Sequence, residues 1–191
     1  MKSWMRYSLL AALGLVSGAS FAVHTVRAGA LSSGVAIGPW KTGTDFGTVE
    51  AGAHTRAVVA LSGLLALPAR EARYYTASED SAGQPLDGRC SYKVTGGLLP
   101  GRWWSLTLYD SAGYLAPNPA GIYSVEGAAL TARERTGWTV EVSPQRQAGH
   151  WLPTGRLPQI ALTLRTYLPP DGGRTNPASA TLPSITKEHC A

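Results

Sequence analysis

The chain has only two cysteines, two methionines, two phenylalanines and four histidines in 191 residues. Two cysteines cannot by themselves form the four-ligand sets of structural zinc sites. No His or carboxylate pairs stand at metal-ligand spacing. A Gly-x-Ser-x-Gly elbow is absent, as is a glycine-rich phosphate loop, so neither common signature of nucleophilic or phosphate chemistry is present. Charged residues make up 15% and no two Lys or Arg are adjacent, although the net charge is +5. Basicity without clustering is not a nucleic-acid footprint. No catalytic residue, metal or cofactor is assigned on these grounds.

What the chain does have is 44% hydrophobic residues, 22 Gly and 13 Pro. That is enough apolar material for one core, cut by many turns. At the N-terminus Lys2 and Arg6 precede an apolar run from Ser8 to Val23. As a helix this run is about 24 Å long, whereas a full membrane span takes about 20 residues. With Ser20-Phe21-Ala22 as a small-x-small cleavage site it reads as a signal peptide. Uncleaved, it reads as a membrane anchor with its basic end inside. Both readings stay open, and both put the rest of the chain outside the cytoplasm, on the periplasmic face of the inner membrane or free in the periplasm. Residues 1–27 are this leader or anchor, 28–37 a Gly-, Ser- and Ala-rich linker, and 38–191 a single domain beginning at the Gly38-Pro39-Trp40 turn.

The domain is organised around Arg102–Asp110. Alternation puts Trp104, Leu106 and Leu108 on one strand face and Trp103, Ser105, Thr107 and Tyr109 on the other. Asp110-Ser111-Ala112-Gly113 supplies a turn. Further strands are expected at Arg73–Ser78, Arg89–Thr95, Ile122–Val125, Ala129–Ala132, Gly137–Ser143 and Ile160–Tyr167, with the strands before Asp110 forming an antiparallel meander. Ala53–Leu67 is the one further helix, with Ala57, Val58, Leu61, Leu64 and Leu65 as its apolar stripe, His54, Arg56 and Ser62 off it, and Pro68 as its stop. Gly149–Gly155 reads as an irregular loop, and the tail from Thr175 as an extended surface segment. The fold class expected is mainly β: an antiparallel β-sandwich or jelly-roll-like domain with one packed helix, preceded by an N-terminal hydrophobic helix.

An exported chain with an even cysteine count favours a bridge between Cys90 and Cys190, with free thiols as the alternative. It would close a loop of about 100 residues, worth roughly 4.7 kcal/mol in the chain-entropy account.

Trp103, Tyr109, Arg165 and Tyr167 fall on the non-core faces of two strands. An arginine among aromatics suits an anionic or sugar-like ligand, and Asn118 and His150 in nearby loops complete a candidate ligand face. The competing reading is a second packed layer in which Arg165 pairs with Asp110. The functional expectation is a non-enzymatic envelope domain binding a small molecule or a protein partner, with the membrane as a further partner through an uncleaved helix and no nucleic acid. The alternative is a hydrolase with a site near Asp110, Asn118, His150 and Arg165, His150 being the candidate base. Paired carboxylates drawn from Glu50, Glu71, Glu79, Asp80, Asp110 and Glu126 have no spacing that brings them together.

Arg102-Trp103-Trp104-Ser105-Leu106-Thr107-Leu108-Tyr109, Gly113-Tyr114-Leu115, Asn118-Pro119, Tyr123-Ser124, Trp151-Leu152-Pro153 and Leu164-Arg165-Thr166-Tyr167-Leu168-Pro169 occur in an order that resembles the bacterial domain-of-unknown-function 1214 family. Thr55-Arg56-Ala57 and Cys90-Ser91-Tyr92 resemble its shorter, exported members. The resemblance runs from about Gly38 to Cys190. It implies a jelly-roll-like β domain behind an N-terminal hydrophobic helix, without implying a chemistry. The chain departs from the family pattern at Gly121-Ile122, where polar or basic residues are common, and at His150, where Asn is frequent.

Overall fold

The computed structural model describes residues 3–32, 34–43, 48, 51–61, 67–174, 178 and 181–190. Glu50, Ser62, Leu64 and Leu65 lie outside them. Among the described residues, two α-helices, α1 (Ser3–Ser32) and α2 (Ala53–Leu61), accompany ten strands. These are β1 (Val35–Ile37), β2 (Trp40–Thr42), β3 (Ala72–Ala77), β4 (Cys90–Gly96), β5 (Trp103–Asp110), β6 (Ser124–Glu126), β7 (Trp138–Ser143), β8 (Trp151–Pro153), β9 (Ile160–Tyr167) and β10 (Ser184–Cys190).

The strands form a six-stranded sheet in the order β1-β2-β3-β9-β5-β6 and a four-stranded sheet in the order β10-β4-β7-β8. The first is antiparallel throughout. In the second, only the β7–β8 pair is parallel. One core joins them. Tyr75, Leu106, Leu108, Leu162 and Leu164 come from the larger sheet, and Tyr92, Val94, Val140, Val142 and Ile185 from the smaller. Leu106 stands directly opposite Leu164, and Leu108 opposite Leu162. Each such fully buried side chain contributes about 1.5–3 kcal/mol relative to an exposed one. The period-2 pattern of β5 and β9 therefore points Trp104, Leu106, Leu108, Ile160, Leu162 and Leu164 at this core, as their alternation requires.

The expected meander does not form. β3 and β5 both pair with β9, while β4, between them in sequence, belongs to the other sheet. Turn residues mark where the chain reverses, but the partner is chosen by which apolar faces can be buried together. Three further expectations change. Ala129–Ala132 is not a strand: Gly127–Ala129 forms a 3-10 turn that ends with Leu130 in the core. The Gly149–Gly155 loop contains β8, whose Leu152 is fully buried. The tail is not merely laid over the surface, because β10 completes a ladder on β4.

At the last rung of that ladder Cys190 faces Cys90, and the two are joined in a disulfide. Trp40 Nε1 donates to Pro183 O at 2.7 Å, which ties the β1–β2 hairpin to the segment leading into β10. Strand β1 begins three residues before the expected domain start, with Ile37 already buried. Helix α1 continues to Ser32, into the stretch expected as linker. Its segment Ser3–Val26 is apolar and long enough to cross a membrane, and none of it is buried. In α2, Val58 is buried while His54 and Arg56 are on exposed positions.

Candidate functional site

The face of β5 and β9 turned away from the core carries four of the six candidate residues. Arg165 lies opposite Ser105 and Tyr74, and Tyr167 opposite Trp103. Arg165 Nη1 donates to Thr107 Oγ1 at 3.1 Å, and Nη2 to Tyr109 Oη at 2.7 Å. Its guanidinium also lies over the Tyr109 and Tyr74 rings, 5.5 and 5.9 Å from their centroids. Trp103 and Tyr167 meet edge to face with centroids 5.0 Å apart. Ser105, Thr107, Thr163 and Tyr74 on this face are buried. Burial pushes the Tyr74 phenol up, against a smaller downward pull from the Leu67 amide that donates to it. Arg165 is thus held by hydroxyls and rings rather than by Asp110, with the small hydroxyl residues of this face buried and Trp103, Tyr109, Arg165 and Tyr167 half-buried.

The other candidates are spent elsewhere. Asn118 staples its own loop: its amide donates to Ala116 O and Ile122 O, and its carbonyl accepts from Ile122 N. Asp110 Oδ1 accepts from the Ala112 and Tyr114 amides, the local bonding that makes Asp a turn starter. His150 Nε2 sits 3.4 Å from Glu134 Oε1, beside the smaller sheet. The Glu134 carboxyl is held below its ordinary range first by the Thr131 hydroxyl and then by the Thr131 amide. The structure therefore brings Trp103, Tyr109, Arg165 and Tyr167 together and commits Asn118 and His150 to separate partners.

A cavity of about 310 Å3 opens at the Trp103 end of the sandwich. Its walls come from the β4–β5 connection (Gly97 to Arg102), the start of β5 and the turn after β6. Trp104 forms a wall and stacks on Trp138, with centroids 4.5 Å apart and planes at 25°. Trp138 is locked in turn, since its Nε1 donates to Gly97 O at 2.8 Å. Two glycines make the shape. At Gly127 a Cβ would lie 2.7 Å from Trp104 Nε1. At Gly101, with φ +130°, it would lie 2.6 Å from Tyr167 O, so a side chain is barred both by backbone conformation and by space. Arg102 and Arg135 also line the cavity, and no lining residue is acidic. Sequence reasoning missed Arg102, Trp104 and Arg135 as a group. Trp104 reads as core, and nothing in the spacing of Arg102 and Arg135 connects a strand start to a turn 33 positions later. The glycines on either side, Gly97, Gly101 and Gly127, were the available sign of close backbone approach around this wall.

Residues 71–171, more than half of the chain, match the family described as a protein of unknown function, DUF1214. The chain belongs to the DUF1214 family. The matched span contains the whole Arg165 layer and every wall of the cavity, so both are features of the DUF1214 portion of the chain. No curated protein matches the sequence. Among solved structures, the VPA0106 protein from Vibrio parahaemolyticus is similar at 23% identity and a TM-score of 0.56, over 71% of this chain and 35% of that one. This likeness concerns the fold. An uncharacterized protein from Burkholderia cenocepacia matches at 18% identity and a TM-score of 0.41, over 62% of this chain and 29% of its own. The chain thus spans about a third of the length of these two proteins.

Proposed function

We propose that this DUF1214 protein is a non-enzymatic, small-ligand-binding β domain of the bacterial envelope, positioned outside the cytoplasm by α1. The observation that carries the binding reading is the cavity at the Trp103 end. It is open, lined by the Trp103 and Trp104 indoles with Trp104 backed by its stack on Trp138, and of a size found for small-molecule sites, about 300–1,000 Å3. The hydrolase reading gains no support, because Asp110, Asn118, His150 and Arg165 each satisfy different local partners and no nucleophile–base pair arises among them. The envelope reading rests on two features. The exposed apolar α1 suits a leader or an anchor, and the Cys90–Cys190 bridge suits an oxidising compartment.

Mass spectrometry of protein purified gently from its own host tests the whole reading. A denatured mass that rises by two hydrogens on reduction is expected. A chain starting at Val23 would make it a soluble periplasmic protein, and one starting at Met1 a membrane-anchored one. Extra non-covalent mass in the native spectrum is expected from the ligand. A reduced thiol pair in the purified protein would overturn the envelope assignment.

A further inference from the structure

Resting on that binding reading, we propose that the cavity selects an anion borne on a flat ring, held between the Arg102 and Arg135 guanidiniums with its ring against Trp104. The cavity presents two cationic side chains and no carboxylate. Neither guanidinium has an ion pair or hydrogen bond among the described residues, in contrast to Arg165 and Arg89. Arginine is suited to this task because its fixed fork of donors matches a carboxylate or phosphate, and its planar face also stacks on rings.

The indoles point the same way. Trp40, Trp138 and Trp151 donate their Nε1–H to Pro183 O, Gly97 O and Ser143 O respectively. Trp104 Nε1–H has no acceptor among the described residues; it lies close against the Gly127 backbone, where a Cβ would come within 2.7 Å of it, and both residues line the cavity. A bound anion would supply the missing acceptor. Leu99 and Leu130 give the walls an apolar part, and the Trp104–Trp138 stack fixes the ring platform before any ligand arrives, which lowers the ordering cost of binding. About 310 Å3 admits one or two rings and little more.

The test uses the full chain in zwitterionic lipid nanodiscs, with 2-naphthoate and the neutral 2-naphthamide as calorimetric probes and empty nanodiscs as the blank. Naphthoate should bind, and more weakly as salt is added. Arg102→Gln and Arg135→Gln should each weaken it at least tenfold, and Trp104→Phe should weaken it less. Naphthamide should bind at least tenfold more weakly than naphthoate and be indifferent to the arginine changes. Equal binding of acid and amide, or naphthoate binding untouched by both arginine changes, overturns the anion assignment and leaves the binding reading standing. No heat from either probe overturns the ring-borne anion as the ligand class. If the native spectrum of host-purified protein also lacks extra mass, the binding reading falls with it.

Discussion

Arg165 in the larger sheet and the pair Arg102–Arg135 beside the cavity illustrate two settings of the same side chain. Arg165 stands in mid-strand on β9, where register places Thr107, Tyr109 and Tyr74 around it. Two of its donors are used within the protein, it lies over two rings, and its neighbours Ser105 and Thr107 are buried. Arg102 and Arg135 stand at a strand start and in a 3-10 turn, both exposed, beside open space. A guanidinium whose hydrogen bonds are made inside the fold contributes to stability and has little left for a ligand. One at the lip of a cavity with no partner among the described residues contributes little to stability and remains available. An aromatic–arginine pattern in sequence does not separate the two cases.

Trp138 joins the core to the cavity, since it is buried in the core and stacks on the Trp104 wall. Trp138→Ala should cost about 3–5 kcal/mol in denaturant unfolding and also release Trp104. A loss below about 1 kcal/mol would mean that the stack is not a fixed platform. Arg165→Leu comes next. It removes charge-assisted bonds to two hydroxyls, worth about 1.5–3 kcal/mol, and should lower stability without altering naphthoate binding. If it abolished binding at unchanged stability, the contrast between the two settings would be wrong.

Arg89 is an intermediate case, paired with Asp87 at 2.5 Å but well exposed. The Arg89 side-chain hydrogen bond, followed by the Arg89 amide, lowers the Asp87 pKa to about 2. Because the folded value lies below the unfolded one, the pair's contribution is present above about pH 5. It fades as the pH falls through the ordinary Asp value, about 3.9, toward 2. The acid limb of a stability–pH curve should therefore flatten in Asp87→Asn, by a small amount because water screens the pair. Last, Arg102→Gln and Arg135→Gln should leave stability within about 0.5 kcal/mol of the parent. A larger loss in either would place that arginine with Arg165.

Much of the fold was legible from one dimension. Alternation along Trp103–Tyr109 and Ile160–Tyr167 assigns each side chain to a face, because the strand repeat is two whatever the partner. The basic start and apolar run after it mark α1, and two cysteines in a chain with such a leader suggest their bridge. The Asp110 and Asn118 turns follow from side chains that bond their own backbone. These are local properties, and local chemistry suffices to read them. Which strand neighbours which is not local. β4 leaves its sequence neighbours for the second sheet, and β9 inserts between β3 and β5, because burying Leu106, Leu108, Leu162 and Leu164 against Tyr92, Val94, Val140 and Val142 depends on the whole set of apolar faces. The same folding decision sets the two candidate sites. It supplies hydroxyls to Arg165, withdraws Asn118 and His150 into separate bonds, and leaves Arg102, Trp104 and Arg135, distant in sequence, around one space that no single stretch of the chain encodes.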